Sequence, residues 1–529
     1  MRSNRHSFAV DADYVAEMAR QAIFERYQEE GYAEGLNVYT TIRAAEQVAA
    51  DQAVRQGVLD YDRRHGYRGP EGLVELPGDE AVLDDALQEA LADEHEVNGL
   101  KPGVVLEANP TAVKIYLKGG ERIDVRGEGL KFVQQALRAK AAPRQRVLRG
   151  SLIRVEKDAK GLWQISQLPE VEAALVSIDP RDGAIHALVG GFDFDRNKFN
   201  HVTQALRQPG SSFKPFIYSA ALEKGFTPAT IIADTPVTFQ SAGTGWKPWS
   251  PGNYEHDFLG PISMRTALVK SRNVASARIL QSIGISYARD YVTRFGFSAD
   301  QVPPYLTMVL GVGSVTPLQM AQAYSMFANT GYRVSPYFIE RIVDRDGGAV
   351  QQTKPARAGE GAERVIDARN AFIMTSIMQD VIRRGTAARA MQLGRHDLAG
   401  KTGTTNDFTD AWFDGFNEQL VAVAWIGFDQ PRTLGKGEVG ARAALPIWMN
   451  YIGTVLKGKP ETPLSIPDGV VRVAINPTDG LTVEGGQEGQ QGVPDYFYRE
   501  NLPSAHRPDE TINPDSGEKS VERVKSQLF

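Results

Sequence analysis

Ser211 and Lys214 stand three positions apart in Gln208-Pro209-Gly210-Ser211-Ser212-Phe213-Lys214-Pro215-Phe216. Where such a stretch opens a helix, positions i and i+3 share a face, so hydroxyl and amine can touch. A serine hydroxyl is a poor nucleophile until a base takes its proton. A lysine amine serves as that base only if burial or a nearby charge lowers its pKa. Taken alone, S-x-x-K more often marks a solvated helix start. Its meaning depends on whether the chain supplies the other parts of an acyl-transfer site.

Two further motifs follow in order: Ser271-x-Asn273, and Lys401-Thr402-Gly403 continued by Thr404-Thr405. Each has a plainer account by itself. Ser271 and Asn273 can cap a helix running from Val274. Gly400-Lys401-Thr402 invites a phosphate-binding reading, but Arg395 stands where that motif requires glycine. The neighbours of Lys401 also read as a strand, not as a helix start. Gly311-Val312-Gly313 has no third glycine in place and reads as a turn. The eight histidines are scattered without a His-x-x-x-His pair, and there is no cysteine, so neither a metal nor a cofactor is called for. A net charge of −6 gives no basic field for nucleic acid. No apolar run reaches the roughly 18 residues of a membrane span.

The elements that must position these residues are legible by period. Tyr14, Val15, Met18, Ala22, Ile23 and Tyr27 mark a helix within Asp11–Glu30, and Leu36–Ile42 reads as a strand. A helix follows through Ala44–Tyr61, and residues 1–65 read as a linker module. Asp79–Glu96 is an acidic amphipathic helix with Leu83, Leu87 and Leu91 on one side. The period then becomes two: Val104–Ala108, Val113–Leu117, Ile123–Val125, Leu152–Val155 and Leu162–Ile165 predict a small antiparallel barrel of the OB type in residues 66–168. Ala173–Ile178 and Ala184–Val189 form a hairpin that opens the domain carrying the chemistry, residues 169–463. Helices are expected after Ser211, on both sides of Lys270–Asn273, at Pro317–Ala328 and at Ala371–Arg383. Strands return at Gly400–Thr405, Asp410–Phe413 and Leu420–Ile426. Residues 464–529 read as a polar tail. Glu484–Gly492 is of low complexity, and disorder is expected beyond Val493.

The three motifs together resemble the signature of the penicillin-binding proteins and serine β-lactamases. The chain resembles the transpeptidase half of a class A penicillin-binding protein, and within that family the Gram-negative type 1A with its OB-like insert. The resemblance runs from about Leu36 to about Pro463. It includes Gly35-Leu36-Asn37-Val38-Tyr39-Thr40-Thr41, Gly66-Tyr67-Arg68-Gly69-Pro70 and Leu310-Gly311-Val312-Gly313-Ser314-Val315-Thr316-Pro317. It implies an α+β fold: an antiparallel sheet flanked by helices, plus the OB-like insert and the linker.

Carried over position by position, the resemblance implies that Ser211 attacks the penultimate D-Ala carbonyl of a peptidoglycan stem peptide while Lys214 takes its proton. Ser271 would relay a proton to the leaving amine, Lys401 would hold the field positive, and Asn273 would bind the substrate backbone. The Lys401–Thr404 strand would pair with the peptide. Thr402 and Thr404 hydroxyls would hold its carboxylate, and N–H groups of Ser211 and Thr404 would form the oxyanion hole. Gly403 would let the substrate approach closely. β-Lactams would acylate Ser211. A cell-wall regulatory protein at the insert, Asp79–Arg149, is a further implied partner, and the implied location is the periplasmic side of the inner membrane.

Arg272 fills a position that varies in the family. No anchor and no lysozyme-like glycosyltransferase domain is visible, so glycan polymerisation is not expected of this sequence. The alternatives are a D,D-carboxypeptidase or β-lactamase in which water replaces the acceptor amine, and a non-catalytic cell-wall scaffold.

Overall fold

Three strands rich in β-branched and aromatic residues build the floor of the molecule's larger unit: Ala399–Thr404, Asp410–Phe416 and Val421–Gly427. They pair antiparallel in sequence order, Lys401 opposite Asp414 and Trp412 opposite Trp425. Glu172–Ile178 lies next to Val421–Gly427 and pairs antiparallel with Ile185–Val189, which completes a five-stranded sheet. Ala399–Thr404 is therefore an edge strand. Both faces are covered, because residues three apart on a strand point oppositely. Phe413 meets Trp448 of the helix Leu445–Val455 on one face, and Phe416 meets Tyr324 of the helix Pro317–Ala328 on the other. The computed structural model describes residues 10–29, 31, 35–240, 247–483 and 492–504.

Over the Tyr324 face runs the helix Lys214–Glu223, entered through a 3₁₀ turn at Gly210–Phe213. Nearly all of its side chains are buried. Phe216 sits among Phe213, Phe295, Phe297, Tyr324 and Phe327, with ring centroids 4.8–5.8 Å away. Such aromatic pairs contribute about 0.5–1.5 kcal/mol each beyond area burial. Polar handles fix the helix axially: Tyr218 bonds Ser276 at 2.8 Å, and Ser219 bonds Tyr291 and Asn370. The helices expected on both sides of Lys270–Asn273 are Met264–Val269 and Asn273–Ile283.

Residues 10–54 do not stand apart as a linker; they belong to this same unit. Asn37–Thr40 pairs with Ile339–Val343, and Gln47 closes a two-way amide bridge on the backbone of Leu188, at 2.9 and 3.0 Å. The helix Ala44–His65 thereby caps the free edge of the five-stranded sheet through Gln47, a partner 141 residues away that no local pattern announces.

The tail also departs from expectation. Val493–Tyr498 is not disordered but pairs antiparallel with Val470–Ile475. It is pinned from below: Arg265, buried on the helix Met264–Val269, donates to both carboxylate oxygens of buried Asp495, with Asp380 at 3.2 Å beside it. Phe497 is fully buried and Tyr496 packs edge-on against Phe372. The low-complexity stretch at 484–491 and residues 505–529 lie outside the described residues.

The second unit comprises Arg55–Glu172 with Gly191–Phe199. Its sheet runs Gly72–Leu73, Ser151–Lys157, Lys101–Asn109, Ala112–Leu117, Arg122–Arg126, with Trp163–Ser166 added on Ser151–Lys157. The sheet coils until Arg122–Arg126 approaches Trp163–Ser166, enclosing Val105, Val113, Ile115, Val125, Ile153 and Val155. The acidic helix forms at Glu80–Ala90, with the Asp79 carboxylate capping the Ala81 N–H. Its Leu87, with Leu91 just beyond, buries against Val104, Tyr116 and Leu152 on the outer side of the sheet. Val104 and Val105 are both buried because this strand has core on each side.

Removing one partner of a buried ion pair strands the other charge and costs about 3–5 kcal/mol, whereas an exposed pair contributes about 0–1 kcal/mol. Asp495→Ala should therefore lower unfolding free energy in urea by several kcal/mol. Glu500→Ala, at the exposed end of the Arg369 pair, should leave it nearly unchanged. Equal effects would show that the tail is not held by Arg265.

Candidate active site

The helix Met264–Val269 ends in a Schellman-type turn: Ser271 N–H bonds Leu268 O at 3.0 Å, and Arg272 N–H bonds Ala267 O at 2.8 Å. The position between these bonds and the last helical residues takes left-handed backbone and is usually glycine. Here it is Ser271, at φ +57°. A side chain in that region costs about 1–2 kcal/mol, and what it gains is a hydroxyl held between two lysines.

Lys214 Nζ donates to Ser271 O and Asn273 Oδ1, both at 2.7 Å, and reaches Ser271 Oγ at 3.4 Å. Lys401 Nζ donates to Ser271 Oγ at 2.8 Å and to Thr402 O at 3.0 Å. Both amines are fully buried. Burial, and then repulsion from Lys401, holds Lys214 well below the ordinary lysine range. Burial pulls Lys401 down to about 7, opposed by the Asp414 carboxylate. Lys214 is thus an amine whose charged form is disfavoured, one turn along the same backbone from the partly exposed Ser211. Its hydrogen bonds go to Ser271 and Asn273 and not to the Ser211 hydroxyl.

The S-x-N turn is fixed from behind. Neither Ser271 nor Asn273 caps the following helix with its side chain. Asn253 does: its Oδ1 accepts from the N–H groups of Asn273 and Val274, at 2.9 and 3.3 Å. Asn253 Nδ2 is held by buried Asp234 at 2.9 Å. Arg272 donates to Asp234 at 2.8 Å and to Asp257 at 2.7 Å, with Glu255 at 3.2 Å. Arg272, which sequence reasoning passed over as variable, is the buried cation that ties the turn to Asp234. Asn273 Nδ2 is occupied with Gly252 O at 2.9 Å.

On the edge strand, alternation sends Lys401 and Gly403 towards the nucleophile turn and Thr402 and Thr404 to the other face. The Thr402 hydroxyl pairs with Thr386 at 2.7 Å. Thr404 Oγ1 accepts from Gly440 N–H at 2.9 Å, which leaves its own O–H to donate. Gly403 has a nearer reason for being glycine than the approach of substrate. A Cβ there would lie 2.3 Å from Pro209 O and 2.5 Å from Ser212 Oγ. Gly210, at φ +58°, would place one 2.4 Å from Thr404 O and 2.9 Å from Thr404 N, and Gly311 would place one 2.1 Å from Gly210 O. Backbone thus packs directly on backbone where the nucleophile turn meets Thr404 of the edge strand. Trp412 Nε1 bonds Gln208 O at 2.8 Å and closes the junction. Gly311-Val312-Gly313 is indeed a turn, but one whose first glycine is a wall of the site.

Among the described residues no group of three or more His, Cys, Asp and Glu is placed to hold a metal ion.

The family model described as the penicillin-binding protein transpeptidase domain matches residues 173–435. The one described as the penicillin-binding protein OB-like domain matches residues 67–171. The chain is 43% identical over 531 residues to penicillin-binding protein 1A of Pseudomonas aeruginosa, covering 91% of this chain and 64% of the relative. It is 46% identical over 459 residues to penicillin-binding protein 1A of Neisseria lactamica, covering 87% of this chain and 57% of the relative. The chain thus spans less than two thirds of these curated relatives. Its fold superposes on the crystal structure of penicillin-binding protein 1A from Haemophilus influenzae with a TM-score of 0.86 at 35% identity, over 94% of this chain and 78% of that one.

The glycine junction makes a direct prediction. Gly403→Ala and Gly210→Ala should each destabilise the protein by about 1–3 kcal/mol in chemical denaturation, with Gly210→Ala the worse because its left-handed backbone adds about 1 kcal/mol. Gly72→Ala meets nothing within 4 Å and should lie within about 0.5 kcal/mol of wild type.

Proposed function

The chain belongs to the penicillin-binding protein 1A family, and from that membership and the geometry we propose that it is a serine D,D-transpeptidase acting on peptidoglycan stem peptides. The observation that carries the proposal is the fully buried Lys214, its charged form disfavoured, one turn from Ser211, with Lys401 and Ser271 closing the far side.

Ser211 Oγ attacks the carbonyl of the penultimate D-Ala, and Lys214 Nζ takes its proton. The developing oxyanion lies between the N–H groups of Ser211 and Thr404, whose approach the Gly210 contact enforces. One such donor is worth about 3–4 kcal/mol in the transition state. Ser271 Oγ, which accepts from Lys401, passes its own proton to the leaving amine of the terminal D-Ala and regains one from the lysine side. An acceptor amine then takes the acyl group by the reverse path. The edge strand Ala399–Thr404 offers its open side to an extended peptide, and the Thr404 O–H is free to donate to the substrate carboxylate. Asn273 serves first as the acceptor that fixes Lys214; its amide is already committed to Gly252. A β-lactam, which carries a strained acyl group in place of the D-Ala-D-Ala amide, would stop at the acyl-serine.

Hydrolysis by water in place of the acceptor amine is the second reading, and nothing in the described site supplies a carboxylate base beside Ser211 to favour it. A fluorescent penicillin incubated with the purified chain should label it covalently, and Ser211→Ala should abolish the label. Lys214→Arg, permanently charged, should slow labelling by about 10²–10⁴-fold. Equal labelling of the Ser211→Ala protein would refute the acyl-serine. With stem peptide and an acceptor amine present, mass spectrometry should find the cross-linked peptide; free tetrapeptide alone would make the chain a carboxypeptidase.

A further inference from the structure

Directly across the ladder from Lys401 stands Asp414, on the same face and fully buried. Neither of its carboxylate oxygens has a hydrogen-bond partner of good geometry, and its nearest polar neighbour is the Ser212 hydroxyl, buried beside it and likewise without another partner. A buried carboxyl without partners is costly, so its presence behind an active-site lysine asks for a role. The groups facing it come from three elements: Lys401 on the edge strand, Ser212 on the nucleophile turn, and Tyr324 on the helix Pro317–Ala328, whose hydroxyl donates to Ser212 O at 2.7 Å. Its neighbour on the next strand, Val423, is apolar.

We propose that Asp414 is a positioning residue: its carboxyl, walled in behind the edge strand, sets the charge carried by Lys401 and thereby keeps Lys214 in the form that accepts the Ser211 proton. This rests on the acyl-transfer reading of the site.

The physical chain is short. Lys401 and Lys214 share Ser271 Oγ, so a positive Lys401 disfavours a positive Lys214. The other charges acting on Lys214, Arg272, Glu255 and Asp234, belong to a network that is already internally paired. Asp414 is then the carboxylate left to stabilise the Lys401 ammonium from the opposite side. Burial pushes Asp414 up to about 8, while Ser212 and Lys401 favour its charged form; Lys401 lies at about 7. The two groups therefore exchange protons with solvent in the same range, in steps that belong to the pair. An ionised Asp414 keeps Lys401 protonated to higher pH. Without it the ammonium is lost sooner, and the alkaline limb of acylation moves down.

The test compares the full chain with Asp414→Asn, which keeps the volume and removes the charge. The rate of labelling by fluorescent penicillin is followed from about pH 5 to about pH 10, bracketing both groups. The alkaline limb should fall by about one pH unit, so that labelling on that limb is about tenfold slower, while the acid limb, set by Lys214, should move up because a Lys401 that has lost its charge no longer opposes protonation of Lys214. NMR of protein carrying ¹³Cε-lysine should show the Lys401 titration moving down with the limb. Limb and titration both unmoved in a variant with the wild-type melting curve would overturn the proposal. If Asp414→Asn does not fold, Asp414→Ser, smaller and uncharged, takes its place with the same expectation. If neither protein labels at any pH, the acyl-transfer reading falls. The Lys401 titration then still decides for or against the Asp414–Lys401 coupling.

Discussion

Two amines withdrawn from water and aimed at one serine are the constraint on which the catalytic unit depends. Isolated ammonium groups do not survive burial; they lose protons or find partners. Here the partners are few and shared: the carbonyl and hydroxyl of Ser271, the Asn273 oxygen and the Thr402 carbonyl. That scarcity, together with burial, disfavours the charged form of both amines. It also explains why the turn carrying Ser271 is so heavily braced. A left-handed serine relaxes unless its surroundings over-determine it, and Arg272, Asp234 and Asn253 do so with charged and cap hydrogen bonds.

The second constraint is closeness of backbones. The nucleophile turn belongs to a helix packed on the sheet, whereas the oxyanion partner belongs to the edge of that sheet. Side chains of ordinary size would hold these main chains apart. Gly210, Gly311 and Gly403 remove the spacers, so the main chains of the nucleophile turn and the edge strand lie in direct contact. The aromatic cluster around Phe216 then holds the helix against the sheet from the side away from the substrate.

Much of this was legible in the sequence because the relevant signals are local. The period-two runs marked the strands of both units, and the strand at Ala399–Thr404 and the helices around Lys270–Asn273 stand where period and punctuation placed them. The S-x-x-K, S-x-N and K-T-G motifs converge on one site. What the sequence did not disclose is long-range. Asn253 caps a helix that begins 20 residues later. Asp495 answers an arginine 230 residues earlier, so a polar segment that composition marks as disordered becomes a paired strand. Gln47 bridges to a strand 141 residues away and makes a supposed linker part of the catalytic unit. Asp414 was hidden for another reason: it stands just past the strand read at Asp410–Phe413, and only the longer strand, buried on both faces, reveals it.

The position of Asp495 has a consequence for the order in which the chain is made. The guanidinium of Arg265 emerges from the ribosome long before its carboxylate partner, and the hairpin strands near Glu172 wait equally for Val421–Gly427. Synthesis proceeds at about 5–20 residues per second, so Arg265 waits on the order of tens of seconds before Asp495 is made. Termination between Thr404 and Asp495 yields a product that carries Ser211, Lys214, Ser271, Asn273 and Lys401 yet lacks the carboxylate that clamps Arg265 beneath them.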